Sequence, residues 1–83
     1  MTAEADNQLI LRQAVEIVVQ TQFGSPFMLQ RRLKITLARA EHLMQTMENA
    51  GIVGPRDQIG IPRKVLYAPT QLAAVLAALG GQQ

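Results

Sequence analysis

The sequence contains no cysteine, which excludes both a disulfide framework and a thiolate metal site. It has no tryptophan and only three aromatic residues, two Phe and one Tyr, so its core must be built from aliphatic side chains. No apolar run approaches the roughly 18 residues that a membrane-spanning helix needs, and the acidic N-terminus is unlike the basic start of a signal peptide. These absences predict one small cytoplasmic domain without membrane contact of its own.

Residues suited to catalysis are also scarce. The chain has one histidine and six acidic residues, and only Glu41, His42 and Glu48 cluster along the sequence. They make no catalytic triad or metal site, and no phosphate-binding loop of the form G-x-x-x-x-G-K-S/T is present. The sequence therefore predicts a non-enzymatic chain with no cofactor, no metal and no nucleotide-driven motor.

Charge is distributed unevenly along the chain. Residues 31–64 hold seven of the eight basic residues against three acids, a net charge of +4, whereas residues 1–30 carry −2 and residues 65–83 carry no charged side chain. Such a concentration of cations is typical of a surface that binds a polyanion. On charge alone, a solvated basic face explains it equally well.

Apolar residues at helical spacing predict a first helix over about residues 6–22, with Asp6 as its N-cap. Gly24 is expected to end it in the left-handed conformation, and Ser25 and Pro26 begin a second helix over 26–33. The apolar positions of the first helix are Leu9, Ile10, Ala14, Ile17 and Val18.

A third helix is predicted over residues 37–50, after the three-residue turn 34–36. Thr36 is placed to cap it, and Gly51 is placed to end it. Core packing is the favoured role of its apolar side chains, rather than a separate interaction site. The predicted buried residues are Leu37, Ala40, Leu43, Met44, Met47 and Ala50.

The periodicity changes after the third helix. Residues 52–54 and 64–68 predict two strands, and the prolines and glycine between them predict the long loop of a β-hairpin. Pro69 and Thr70 then begin a fourth helix over 70–79, which either caps the core or presents an alanine face to a partner.

This order of elements indicates the fold class. Helix, helix, three-residue turn, helix and hairpin is the order of a winged helix-turn-helix, a mainly α fold with a small β-hairpin. The C-terminal helix is an addition to it. The chain is expected to be a single domain, residues 1–83, with its wing at 52–68.

In a helix-turn-helix, the second helix of the pair lies in the major groove of duplex DNA, and its N-terminal residues meet the base edges. Arg39 is the leading candidate because its guanidinium can donate two hydrogen bonds to guanine O6 and N7. His42 lies one turn later on the same face, and Thr36 is primarily a cap. The predicted base-reading residues are Arg39, His42, Ala38 and Thr36.

Other cations are expected to contact the phosphate backbone. Arg31, Arg32 and Lys34 lie where this motif crosses the backbone, and they add affinity rather than sequence information. The predicted wing contacts are Arg56, Arg63 and Lys64. Successive strand residues point to opposite faces, so Arg63 and Lys64 cannot both contact the same DNA strand.

Four stretches carry a family resemblance that covers about residues 9–68: LQRRLKI at 29–35, ARA at 38–40, LMQTMENAGIVGP at 43–55 and PRKVL at 62–66. They resemble the gamma domain that ends FtsK/SpoIIIE-type DNA translocases. By position, Arg39 corresponds to the family's recognition-helix arginine and Arg63 to its wing arginine.

The resemblance implies a function in DNA handling. Domains of this family recognise short, G-rich, directional sequences on double-stranded DNA, with several copies side by side. They thereby load and orient a hexameric motor in chromosome segregation and cell division, and they contact a site-specific recombinase. Related domains serve plasmid-transfer translocases. The parent protein of such a domain is expected to be anchored in the inner membrane.

This chain departs from the family in the recognition helix. The family commonly reads Gly-Tyr-Asn-Arg-Ala-Ala-Arg where this chain has residues 36–42. Ala38 replaces the asparagine, His42 the second arginine and Glu41 a small neutral residue. A carboxylate at this place repels phosphate but can accept a hydrogen bond from cytosine N4.

These departures leave other functions open. A winged-helix module that contacts proteins, such as a recombinase, and binds little DNA is one alternative, which Ile59 and Ile61 in the wing also favour. A small transcription regulator is another. The sequence is compatible both with a fragment of an ATP-driven translocase and with a free-standing product. It does not define the DNA target.

Overall fold

A computed structural model of the chain describes residues 3–56 and 62–80. Over these ranges the protein is mainly helical, with one 3₁₀ turn and short antiparallel pairings. The elements are α1 (Ala3–Thr21), α2 (Pro26–Leu33), α3 (Leu37–Asn49), the 3₁₀ turn (Pro69–Gln71) and α4 (Leu72–Gly80).

Helix α1 begins earlier than its sequence signals predict. It starts at Ala3, so Asp6 lies inside the helix instead of capping it. The buried side also differs in part from the predicted one, because Leu9 is 57% exposed. Over residues 8–21 of α1, the fully buried residues are Ala14, Val15, Val18 and Val19, which follow the i, i+1, i+4, i+5 spacing of one helical face.

The end of α1 corrects a second expectation. Gln22, not Gly24, has the left-handed backbone conformation, with φ of 58°. The Gln22 side-chain amide donates to the carbonyl oxygens of Val19 (2.7 Å) and Tyr67 (2.8 Å). These two bonds hold a non-glycine residue in a conformation that glycine adopts more readily.

Gly24 instead permits a close approach between two chain segments. It lies opposite Arg63 in an antiparallel bridge, and the Arg63 amide donates to the Gly24 carbonyl oxygen at 2.9 Å. A Cβ at this position would stand only 2.5 Å from the carbonyl oxygen of Arg63. The glycine is therefore required by packing, since any side chain would force the segments apart.

Helix α2 has the boundaries and the start that the sequence predicts. Ser25 is its N-cap and accepts a hydrogen bond from the Met28 amide, while Pro26 occupies the first helical position. The helix ends at Lys34, which is left-handed with φ of 56°, and the amide of Ile35 returns to the Gln30 carbonyl at 3.2 Å. Lys34 begins the turn between α2 and α3.

Helix α3 is closed by local signals at both ends. The Thr36 hydroxyl accepts from the Arg39 amide at 3.1 Å, which confirms the predicted cap. Gly51 has φ of 78°, and its amide donates to the Glu48 carbonyl at 3.0 Å. The Ile52 amide reaches the Met47 carbonyl at 2.8 Å, so the helix ends in a Schellman motif.

The core side of α3 agrees largely with the predicted stripe. Ala40, Leu43, Met44 and Met47 are buried, which supports core packing as their role. Leu37 is only half-buried and Ala50 is exposed. Ala50 is exposed because it follows the last helical residue, where the backbone turns away.

After α3 the chain forms a short antiparallel pairing. Val53 lies opposite Val65. The Gly54 amide donates to the carbonyl oxygen of Lys64 at 2.8 Å, and the Leu66 amide donates to the carbonyl oxygen of Ile52 at 2.9 Å. Within the described ranges these are isolated bridges, shorter than the two strands predicted over 52–54 and 64–68. Residues 57–61, which include Ile59 and Ile61, lie outside those ranges.

Helix α4 follows the 3₁₀ turn and packs against α1. Ala68, rather than Thr70, precedes the first turn, and the Gln71 side-chain oxygen accepts from its amide at 2.8 Å. Val75 is buried in the common core, while Arg12 of α1 donates to the carbonyl of Leu76 at 3.2 Å. The fourth helix thus covers the core, as one of the two predicted roles requires.

Candidate nucleic-acid interface

A row of exposed residues follows the end of α2, the turn and the first two turns of α3. We call this row the α2–α3 surface; its members are Arg31, Arg32, Lys34, Thr36, Ala38, Arg39 and His42. The apolar residues between them are half-buried or buried: Leu33, Ile35, Leu37 and Ala40. All base-reading candidates and three backbone candidates from the sequence therefore lie on one exposed stretch.

The basic residues at the end of α2 have a local stabilising role as well. Arg31 and Arg32 occupy the last turn of the helix, where cations interact favourably with the carbonyl end of the helix dipole. Lys34 ends the helix and is exposed. Three cations therefore lie within four residues, on the segment that leads into α3.

The first turn of α3 fixes two of the base-reading candidates. Because the Thr36 hydroxyl accepts from the Arg39 amide, the backbone of Arg39 is held at the start of the helix while its side chain is exposed. His42 follows one turn later and is exposed as well. Ala38 contributes only a methyl group, so it offers apolar contact and no hydrogen bond.

Glu41 and Arg56 form an exposed ion pair beside this surface. Arg56 Nη2 donates to Glu41 Oε2 at 2.8 Å, and the two side chains are 46% and 43% exposed. The pair connects the second turn of α3 to the segment that follows the 52–54 pairing. Arg56, predicted to contact the DNA backbone, is therefore near α3 and accessible from solvent.

Arg63 is in a different environment from the other predicted wing cations. Its side chain is only 9% exposed, and Nη1 donates to Glu48 Oε1 at 2.5 Å and to the Gly54 carbonyl at 3.2 Å. Lys64, the next residue, is exposed. The two side chains thus point to opposite faces, as the strand geometry predicts, and the arginine is turned towards α3.

Sequence reasoning did not find either arginine–carboxylate pair. In both pairs the arginine follows the acid by 15 residues, Glu41 with Arg56 and Glu48 with Arg63. The two acids are seven residues apart, about two helical turns, and therefore lie along one side of α3. This repeated spacing is the signal in the sequence that would have indicated them.

A cavity of about 440 Å³ lies away from these residues, between the end of α3, Tyr67 and α4. Ala74 and Ala78 line it, and the alanine face of α4 is exposed. None of the predicted DNA-contacting residues lines this cavity, so it is a second surface.

Residues 3–56 and 62–80 contain no group of three or more His, Cys, Asp and Glu residues that could hold a metal ion. No helix within the same ranges has the length and hydropathy needed to cross a bilayer.

The geometry defines a small, mainly helical domain in which four of the eight basic residues lie along the end of α2, the turn and α3. The chain matches the family model of the Ftsk gamma domain over residues 4–68 and belongs to that family. The resemblance inferred from the sequence is thereby confirmed. Helix α4 lies beyond the matched range.

Proteins named DNA translocase FtsK are similar to most of this chain. The protein of Mycobacterium tuberculosis (strain H37Rv) is 49% identical over 76 residues, which are 92% of this chain and 9% of that protein. That of Streptomyces coelicolor is 47% identical over 77 residues, 93% of this chain and 8% of that protein. That of Corynebacterium glutamicum is 46% identical over 71 residues, which are 86% of this chain and 8% of that protein. The chain therefore spans less than a tenth of the length of these relatives.

Proposed function

We propose that this chain is a winged-helix domain that binds double-stranded DNA in a sequence-directed manner. In this role it loads and orients an FtsK-like DNA translocase. The observation that carries the proposal is the α2–α3 surface, where every predicted contact residue is exposed and the apolar residues between them pack inwards. Membership of the Ftsk gamma domain family and relatives named DNA translocases support DNA as the polyanion.

The binding mode follows from the positions of the side chains. Helix α3 lies in the major groove, where Arg39 donates to guanine O6 and N7 and His42 contacts the next step. Arg31, Arg32 and Lys34 neutralise phosphates where the turn crosses the backbone.

The short antiparallel pairing after α3 is the base of the wing. Lys64 and Arg56 extend from it towards the neighbouring backbone, and both are exposed. Arg63 acts from within, because its ion pair with Glu48 ties the pairing to α3. This domain contributes recognition, and the remainder of such a translocase contributes the motor.

Binding is tested by fluorescence anisotropy with two duplexes, one carrying tandem G-rich octamers and the other the same bases scrambled. A multi-site duplex is used because single winged-helix domains bind weakly. Tighter binding to the tandem duplex, with log affinity falling as log salt rises, is the expected result. Equal binding to both duplexes would retain DNA binding and reject the G-rich target.

Three variants assign the contacts. Arg39→Ala should remove discrimination between the duplexes, by about 1–3 kcal/mol for a lost bidentate contact. Arg32→Ala should weaken binding to both duplexes alike and lower the salt slope by about one. Arg12→Ala removes the same charge outside the α2–α3 surface and should leave binding unchanged, once thermal unfolding shows that the loss of its bond to Leu76 is tolerated.

A protein-binding module is the second candidate function. It is favoured by three exposed apolar side chains, Phe27 (53%), Leu66 (49%) and Phe23 (44%), and by the cavity beside α4. The absence of any DNA binding at low salt would reject the first proposal and favour this one. A partner retained equally well after nuclease treatment would then support it.

A further inference from the structure

The surroundings of Glu41 point to a specific role within the proposed DNA contact. Glu41 is the only acid among residues 31–42, and it stands in the second turn of α3 next to His42. A carboxylate here repels phosphate, so it weakens binding unless it makes a favourable contact of its own. Glu41 is 43% exposed and is therefore available for one.

The position of Glu41 on the helix complements that of Ala38. Residues three apart are neighbours on a helix surface, and helical side chains lean towards the N-terminus of the helix. Glu41 is therefore a neighbour of Ala38 on the surface of α3, and Ala38 is exposed and has no polar side-chain atom. Glu41 supplies the polar group that Ala38 lacks at this point of the α2–α3 surface.

The chemistry of the carboxylate selects one base. An ionised carboxylate only accepts hydrogen bonds. In the major groove, guanine and thymine present acceptors, and adenine presents an acceptor beside its donor, whereas cytosine presents the N4 donor. We propose that Glu41 is a specificity-determining residue that accepts a hydrogen bond from cytosine N4. This inference rests on the proposed function, since it requires α3 to lie in the major groove.

Arg56 is the positioning residue for this contact. Arg56 donates one hydrogen bond to Glu41, and that bond uses Oε2. Over residues 3–56 and 62–80 no further hydrogen bond to the Glu41 carboxylate is found. Oε1 therefore remains for the base. The positive charge of Arg56 offsets the repulsion between the carboxylate and nearby phosphates. A guanidinium has five N–H donors, so Arg56 can hold Glu41 and still contact a phosphate.

The test is a base-preference profile. Starting from the duplex that binds best, each base pair is replaced in turn and the affinity is measured by anisotropy for the wild-type domain and for Glu41→Ala. At one position the wild type should prefer cytosine by roughly 5- to 150-fold, and Glu41→Ala should lose that preference alone. Glu41→Gln should shift the preference to adenine, since a side-chain amide pairs with adenine N6 and N7.

Further variants separate positioning from general stability. Arg56→Ala should reduce the cytosine preference, and Arg56→Lys should restore part of it. Glu48→Gln changes the equivalent acid of the part-buried pair with Arg63, so it should lower thermal stability and leave the profile unchanged. A change in profile for Glu48→Gln would assign the effect of Arg56→Ala to the packing of the wing and overturn its positioning role.

Two outcomes overturn the inference in distinguishable ways. If Glu41→Ala changes affinity for all duplexes by the same factor, Glu41 contributes only repulsion, and the proposed function stands without this residue. If the wild-type domain binds no duplex even at low salt, the proposed function fails and the inference with it.

Discussion

Helix α3 carries two arginine–carboxylate pairs that look alike in sequence and differ in environment. Glu48 and Arg63 are 32% and 9% exposed, whereas Glu41 and Arg56 are 43% and 46% exposed. Charge, residue type and sequence separation are the same in both. Burial therefore decides the role: the inner pair holds the fold together, and the outer pair remains accessible to a ligand.

The inner pair belongs to a small structural unit. Arg63 is bonded through its backbone to Gly24 and through its guanidinium to Glu48 and Gly54. One residue thus connects the end of α1, the C-terminal half of α3 and the 52–54 segment. The outer side of α3 instead carries hydrogen bonds within the helix, from Gln45 to Asn49 and from Thr46 to the carbonyl of His42, together with the Arg56–Glu41 pair.

The largest effect is expected from Gly24→Ala. The new Cβ would stand 2.5 Å from the Arg63 carbonyl oxygen, so the two segments must separate, at a cost of about 3 kcal/mol of unfolding free energy. Gly54→Ala is the matched control, because its nearest heavy atoms would be 3.8 Å away. Urea unfolding measures both, and equal losses would mean that the close approach at Gly24 is not what stabilises this unit.

Glu48→Gln should have the next largest effect. The variant keeps an oxygen acceptor for Arg63 but removes the charge that balances a largely buried guanidinium, and we expect a loss of about 1–2 kcal/mol. The midpoint of thermal or urea unfolding gives the measurement. An unchanged midpoint would show that Arg63 needs no carboxylate, and the inner pair would then not differ from the outer one.

The sequence predicted those parts of the fold that depend on neighbouring residues. Ser25, Pro26, Thr36 and Gly51 act within one helical turn of their positions, and α2 and α3 begin where these residues indicate. The role of Gly24 after α1 is predicted wrongly because it depends on Arg63, which is 39 residues away in the chain. Composition and spacing carry no direct signal for such a contact.

The candidate site also combines features that follow from neighbouring residues with features that depend on distant ones. The exposure of Arg31, Arg39 and His42 follows from helical periodicity, and the structure agrees with it; their contacts with DNA stay predictions. The inward position of Arg63 could not be read from its strand alone, since it depends on an acid of α3. Glu41 departs from the family pattern in the sequence, whereas its pairing with Arg56 depends on the fold.

Lys34→Gly should change DNA binding and stability in opposite directions, and so separates a binding residue from a structural one. Lys34 is a non-glycine residue with φ of 56°, so glycine should raise the unfolding free energy by about 1 kcal/mol. The lost cation should at the same time weaken DNA binding. Gln22→Gly is the control, because Gln22 has the same backbone conformation but two side-chain bonds to lose. If Lys34→Gly lowered the unfolding free energy instead, the Lys34 side chain would stabilise the fold, as the inner pair does.

The smallest effect is expected for the outer pair. A double-mutant cycle of Glu41→Ala and Arg56→Ala should give a coupling free energy of unfolding below about 0.5 kcal/mol, because solvent screens exposed ion pairs. The equivalent cycle of Glu48 and Arg63 should give a larger value. The coupling free energy between Glu41 and Arg56 should be large only when the cycle measures the affinity for a cytosine-containing duplex. If the outer pair instead stabilised folding as much as the inner pair, the difference in exposure between the two pairs would not separate a structural role from an accessible one.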